Sequence, residues 1–137
     1  MNEKEDELFA FLCVAPIWRD AREKHYAVDC GKYNGYVGFP KANFNPSFSL
    51  MDDERFEIHG GISFDGSFGP DKEIIPLTKI PIGWWNSQNY RIIGFDCCHG
   101  YEEECYLSFS LVSDMTIGLM EQVKNLIDEQ LRLSNGE

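Results

Sequence analysis

The sequence has little of what membrane proteins and nucleic-acid-binding domains require. Its apolar runs stay well short of the roughly eighteen residues of a membrane-spanning helix, so we expect no membrane partner. Lysine and arginine number 12 against 23 aspartates and glutamates, which gives a net charge of −11. Because phosphate backbones are bound by clustered cations, this charge argues against direct binding of DNA or RNA.

Paired cysteines are also missing. Five cysteines are present, an odd number, and none forms a C-x-x-C motif, so neither a zinc knuckle nor a disulfide framework is indicated. The acidic segment 1–7 is unlike a secretory signal, which is basic. We therefore expect a cytoplasmic protein whose thiols are reduced and mostly buried.

A chain of 137 residues with 43% hydrophobic content predicts a single domain over residues 1–137. Apolar runs and alternation predict extended segments, of which the first fits either a strand or a short helix. These segments are residues 8–17, 33–39, 55–64 (with a bulge at its two glycines), 90–96 and 105–112. The composition of residues 65–71 predicts a turn, and residues 72–88 are expected to be irregular.

The C-terminal segment has a different pattern. Apolar residues recur at helical spacing, which predicts a helix over residues 115–133, capped by Ser113 or Asp114. Leu119, Val123 and Leu126 lie on its apolar face. We therefore predict an α+β fold in which a long C-terminal helix packs on an antiparallel sheet.

Two of the three histidines each stand beside a glycine and within a few residues of a carboxylate, in segments about forty residues apart. His59 precedes Gly60 and Gly61, and His99 follows Asp96 by three positions. Glycine beside a ligand or base allows positive φ or a close approach of the backbone. We therefore expect these two segments to form the walls of one functional site.

The tryptophan pair Trp84-Trp85 is expected to add an aromatic wall to this site. Apolar walls with a few directed polar groups are typical of small-molecule pockets, and backbone N–H groups at Gly60 and Gly61 suit a nucleotide phosphate. The predicted ligand-binding residues are His59, Gly60, Gly61, Trp84, Trp85, Asp96 and His99.

A metal site is the alternative. Asp96, His99 and Glu102 follow one another at intervals of three, and His59 would complete a set of two imidazoles and two carboxylates. Such ligands suit a divalent transition metal such as zinc, which activates water for hydrolysis. A simpler possibility is that Asp96 and His99 bond each other to hold a loop. No nucleophile signature is present, so no catalytic residue is assigned.

Several segments together resemble a family of small uncharacterised bacteriophage proteins. The family shares a Gly-Tyr-Val-Gly-x-Pro strand, an HGG-[LI]-[ST]-[YF] segment and a WW-x-GFDC-x-H segment. Residues 35–40, 59–64 and 94–99 carry these patterns here, although eight residues separate Trp85 from Gly94. The resemblance spans about residues 35 to 102. It implies a phage or prophage accessory protein in a host bacterial cell, for which counter-defence is the expected role.

Acidic clusters at residues 3–7, 52–54 and 102–104 suit an inhibitor that binds a basic groove of a host defence protein. We therefore expect a non-catalytic protein without a cofactor. Its partner is either a small ligand, such as a nucleotide, or a basic host protein. A metal-dependent hydrolase that uses the His/Asp/His/Glu set is the alternative function.

Overall fold

The computed structural model describes residues 8–14, 33–58, 61–69, 72–96 and 109–134. These residues form β1 (Phe9–Val14), β2 (Tyr33–Pro40), β3 (Phe64–Gly66), β4 (Ile75–Pro76), β5 (Tyr90–Phe95) and one helix, α1 (Phe109–Ser134). The strands make one sheet in the order β3-β5-β2-β1-β4, and each pairing is antiparallel. The predicted α+β fold, an antiparallel sheet packed by a long C-terminal helix, is confirmed.

One face of the sheet packs against α1. Strand side chains alternate between faces, so Ala10 and Leu12 of β1 lie on this face together with Val37, Phe39, Ile93 and Phe95 from the two central strands. The helix covers them with residues that are fully buried at helical spacing, namely Val112, Thr116, Leu119, Val123 and Ile127. This layer is the larger of two apolar cores in the described residues.

The opposite face carries an aromatic cluster. Phe9, Phe11 and Ile92 are buried there beneath side chains from the segment between β3 and β5. The ring of Phe11 lies 5.3 Å from that of Tyr36, 5.2 Å from that of Phe68 and 5.2 Å from that of Trp84, measured between centroids. The segment that the sequence predicts to be irregular, residues 72–88, therefore packs on the sheet through Ile74, Ile80 and Trp84, and it contains the short strand β4.

Glycines in the central strands provide seats for these rings. A Cβ at Gly38 would overlap the Phe9 ring, and one at Gly94 would overlap the Tyr36 ring. Glycine in a strand normally weakens it. Here glycine is present because an aromatic ring occupies the space that a Cβ would need.

Two segments differ from the sequence-based predictions. The strand expected over residues 105–112 is wrong where it can be compared, because α1 begins at Phe109; residues 105–108 lie outside the described residues. Phe109 and Leu111 are both about 40% exposed, so their alternation does not mark a buried strand face. The helical spacing of buried residues starts at Val112, three residues before the predicted start of the helix.

The predicted strand over residues 55–64 is also wrong. Its described residues form turns and irregular backbone as far as Ser63, and Phe64 alone belongs to a strand. Asp65 and Gly66, which were predicted to begin a turn, pair with β5 instead. None of the helical residues described here forms a segment with both the length and the apolarity needed to cross a bilayer.

Substitution of two glycines by alanine tests the role of Gly38. Gly38→Ala should destabilise the fold by about 1–3 kcal/mol, because the added methyl group must displace the buried Phe9 ring. Gly118→Ala, in the middle of α1, meets no atom within 4 Å and should stabilise the fold by up to about 1 kcal/mol through helix propensity. Urea denaturation measures both changes. Equal changes in unfolding free energy, of the same sign, would contradict the claim that Gly38 makes room for the Phe9 ring.

Candidate functional site

Two of the residues predicted to bind ligand lie at one end of the sheet. Asp96 directly follows β5, and Gly61 precedes β3, its neighbour. The Ser63 N–H donates to the Gly94 carbonyl at 2.9 Å, which joins the two segments. Gly61 has a φ of 76°, the positive value that the His-Gly-Gly pattern led us to expect. His59, Gly60 and His99 lie outside the described residues, so their convergence stays a prediction.

The tryptophan pair belongs to the aromatic cluster. Trp84 packs its ring on Phe11 and Phe68 in the aromatic cluster, and Trp85 stands edge-on to it with 40% of its surface exposed. Trp84 is therefore a packing residue of the sheet face opposite α1. Its role as an aromatic wall of a ligand pocket is not tested by these contacts.

Of the predicted metal ligands, Asp96 lies within the described residues, whereas His59, His99 and Glu102 do not. Within the described ranges, no three histidine, cysteine or acidic side chains are grouped so that they could hold a metal ion. The His/Asp/His/Glu site therefore stays a prediction.

A buried ion pair, which the sequence analysis missed, organises the other end of the sheet. Arg91 of β5 reaches Asp65 of β3 through two parallel hydrogen bonds, Nε to Oδ1 at 2.8 Å and Nη2 to Oδ2 at 2.7 Å. Their side chains are only 10% and 7% exposed. This two-point geometry is the strongest form of the arginine–carboxylate contact.

The same guanidinium holds the loop that follows β2. Nη1 donates to Asn45 Oδ1 at 3.1 Å and to the Pro46 carbonyl at 2.7 Å, and Nη2 donates to the Phe48 carbonyl at 2.9 Å. All five N–H donors of Arg91 are thereby used. Asp65 Oδ2 also accepts from the Leu50 N–H at 2.7 Å, so the pair ties residues 45–50 to both strands.

A polar cleft of about 470 Å³ opens beside this ion pair. The C-terminal ends of β2 and β3 and the N-terminal end of β5 meet here, because both strands run antiparallel to β5. The cleft is lined by Lys41, Asn45, Pro46, Ser47, Asp65, Gly66, Ser67, Ser87, Tyr90 and Arg91. Four residues with hydroxyl groups, three serines and one tyrosine, therefore line a space of the size that small-molecule sites have, together with the amide residue Asn45 and with Lys41.

The turn that carries Ser87 is fixed on both sides. The Asn86 N–H donates to the Gly83 carbonyl at 2.8 Å, and the Lys41 N–H donates to the Asn89 carbonyl at 2.9 Å. The Trp84 ring anchors the start of the same turn on the aromatic cluster. The aromatic packing on one face of the sheet thus positions a wall of the cleft.

The cleft lies away from the end of the sheet that holds Gly61 and Asp96. Residues 90 and 95 of β5 are about 17 Å apart at the normal rise of a strand. Among the described residues of the predicted site, Gly61 and Asp96 are therefore separated from the cleft. One sequence signal for the cleft was present, since Arg91 is a lone charged residue within the otherwise apolar strand Tyr90–Phe95.

The charges of the cleft differ from those of the whole protein. Lys41 and Arg91 face it against one carboxylate, Asp65. Burial raises the pKa of Asp65, but hydrogen bonds from Arg91 and the Leu50 N–H, with the charges of Arg91 and Lys41, outweigh it and bring the pKa below its ordinary value. Asp65 therefore stays ionised at neutral pH, and the charged lining sums to +1.

The ion pair gives a prediction for stability. Arg91→Met should cost about 3–5 kcal/mol, because it leaves the Asp65 carboxylate buried without its partner. Arg55→Met is the matched control: Arg55 pairs with Asp53 at 2.8 Å, but its side chain is 43% exposed, and its loss should cost about 1 kcal/mol or less. Urea denaturation at pH 7 measures both. Similar losses would show that Arg91 does not organise this end of the sheet.

The lowered pKa of Asp65 adds a pH dependence with a definite sign. The ionised carboxylate contributes its full stability above its unfolded pKa, near 3.9, and this stability is lost as the pH falls from about 4 through the lower folded pKa. Asp65→Asn should therefore narrow the difference in unfolding free energy between pH 7 and pH 3. An unchanged difference would contradict the assignment.

No family model, curated protein or solved structure matches this chain. The resemblance to bacteriophage proteins therefore stays a prediction, and the function is inferred from the cleft and its residues.

Proposed function

We propose that this chain is a non-catalytic binding protein that holds a small polar ligand in the cleft beside Arg91. The observation that carries the proposal is the cleft itself, about 470 Å³ and lined by three serines, Asn45 and Lys41. Its walls are set by the buried Arg91–Asp65 pair, so the polar groups are placed before a ligand arrives. Such preorganisation lowers the entropic cost of binding.

The chemistry of the lining favours binding over catalysis. Asp65 is the carboxylate that faces the cleft, and its oxygens already accept hydrogen bonds from Arg91 and from the Leu50 N–H. With its lowered pKa, it is a weak general base. Among the described residues that line the cleft, no histidine stands beside the serines, and we assign no nucleophile there.

The biological setting of this proposal rests on the resemblance to bacteriophage proteins. A phage protein that removes a small ligand needed by a bacterial defence system would act as a counter-defence protein without any chemistry of its own. Nucleotides are the first ligand class to test, because they combine hydroxyls, ring nitrogens and phosphate, all of which the lining can bond.

A second candidate is binding of a basic host defence protein, and one surface favours it. Phe48 and Met51 are 56% and 49% exposed, and the exposed Asp52 and Glu54 stand beside them. Apolar side chains rimmed by acidic ones suit a basic partner surface. Asp53 contributes less charge to this patch, because it is paired with Arg55.

Ligand binding is tested by a thermal-shift screen against mono-, di- and cyclic nucleotides and nucleosides. A ligand that binds the folded state must raise the unfolding midpoint, by about 2.7 kcal/mol in free energy at one hundred times its Kd. Ser67→Trp should fill the cleft and abolish the shift, whereas Ser110→Trp, on the exposed side of α1, should keep it. A shift that survives Ser67→Trp would move the site elsewhere.

The second candidate is tested by charge reversal. The double variant Asp52→Lys/Glu54→Lys should lose a protein that co-purifies with the wild type from infected cells, and the wild-type complex should weaken as salt is raised. Glu121→Lys/Asp128→Lys makes the same change in net charge at exposed positions of α1 and should retain the partner. If both double variants lose the partner protein equally, the loss is explained by net charge and not by this surface.

A further inference from the structure

We infer that the cleft recognises a phosphate group of its ligand, with the Lys41 ammonium as the anchor and serine hydroxyls as further donors. The inference rests on the proposed function and narrows it to a ligand class, phosphorylated small molecules. A nucleoside or sugar without phosphate would then bind much more weakly than its phosphate monoester.

Lys41 is the cation in the cleft whose charge is not already matched. Arg91 also lines the cleft, but its guanidinium donates all five hydrogens to protein acceptors and is paired with Asp65. Among the described residues, the ion pairs involve Asp53 with Arg55 and Asp65 with Arg91, and neither includes Lys41. Lys41 is partly buried and lines the cleft, and an ammonium group without a carboxylate partner is a ready partner for an anionic group.

Backbone contacts fix the position of Lys41 beside the cleft. Lys41 follows the last residue of β2, and its N–H donates to the Asn89 carbonyl of the turn that carries Ser87. Lys41 lines the cleft together with Asp65, and its positive charge helps to lower the pKa of that carboxylate. Lys41 is thus held between the turn and the ion pair.

Hydroxyl and amide donors complete the set that a phosphate needs. Ser47, Ser67 and Ser87 come from three separate segments around the cleft. Asn45 accepts from Arg91 through Oδ1, which leaves its amide nitrogen to donate to a ligand. At neutral pH a phosphate group carries a charge of about −1.5 to −2, and its oxygens act mainly as hydrogen-bond acceptors. A lining rich in donors therefore matches it, whereas a carboxylate-rich lining would not.

The test compares four nucleoside 5′-monophosphates, the four parent nucleosides and inorganic phosphate by calorimetry on the full chain. We expect a monophosphate to bind at least about tenfold more tightly than its nucleoside, the effect of a charge-assisted hydrogen bond. Lys41→Met should remove this advantage, and Lys41→Arg should retain most of it. Lys124→Met, an exposed lysine of α1, is the matched control and should behave as wild type.

The outcomes separate this inference from the proposed function. A nucleoside that binds as tightly as its monophosphate would overturn phosphate recognition and leave ligand binding in the cleft intact. If no phosphorylated probe binds, including inorganic phosphate, phosphate recognition is overturned as well. If no compound in the thermal-shift screen raises the unfolding midpoint, the proposed function is overturned too. Circular dichroism checks that each variant is folded, and Lys41→Gln replaces Lys41→Met if the latter is not.

Discussion

The structure at the cleft end of the sheet depends on one buried ion pair. Arg91 and Asp65 join neighbouring strands, and the hydrogens of Arg91 that Asp65 leaves unused bind the loop of residues 45–50. Burying two charges is costly unless each donor and acceptor finds a partner. Here the loop carbonyls and the Leu50 N–H supply those partners. The same hydrogen bonds therefore offset the cost of burying the two charges and hold the loop in place.

The rest of the fold brings the cleft walls to this pair. α1 covers one face of the sheet and leaves the other to aromatic side chains, among which Trp84 anchors the turn that carries Ser87. The absence of a Cβ at Gly38 and Gly94 lets the Phe9 and Tyr36 rings approach the backbone on that face. Aromatic packing that looks purely structural therefore determines where the polar groups of the cleft stand.

The sequence predicted the elements whose patterns are local. The first two long strands, β5 and the core of α1 followed from apolar runs and helical spacing, whereas β3 and β4, with three and two residues, are too short to leave a pattern. Arg91 was the one sequence signal for the cleft, but its position could not be predicted, since the lining residues come from separate loops and strand ends that meet only through strand pairing. Of the predicted site, Gly61 and Asp96 lie at one sheet end, and its histidines lie outside the described residues.

The acidic character of the chain is compatible with the proposed phosphate-binding cleft. The net charge acts on a long polyanion as a whole, whereas a single phosphate responds mainly to charges within a few ångströms. The net charge of −11 repels a long polyanion along its whole length, which argues against nucleic acids as partners. A single phosphate in the cleft meets mainly Lys41 and neutral donors, since at physiological salt charges more than about 8 Å away are largely screened. An acidic surface around a local cation therefore favours small phosphorylated molecules over DNA and RNA, although all of them carry the same anionic group.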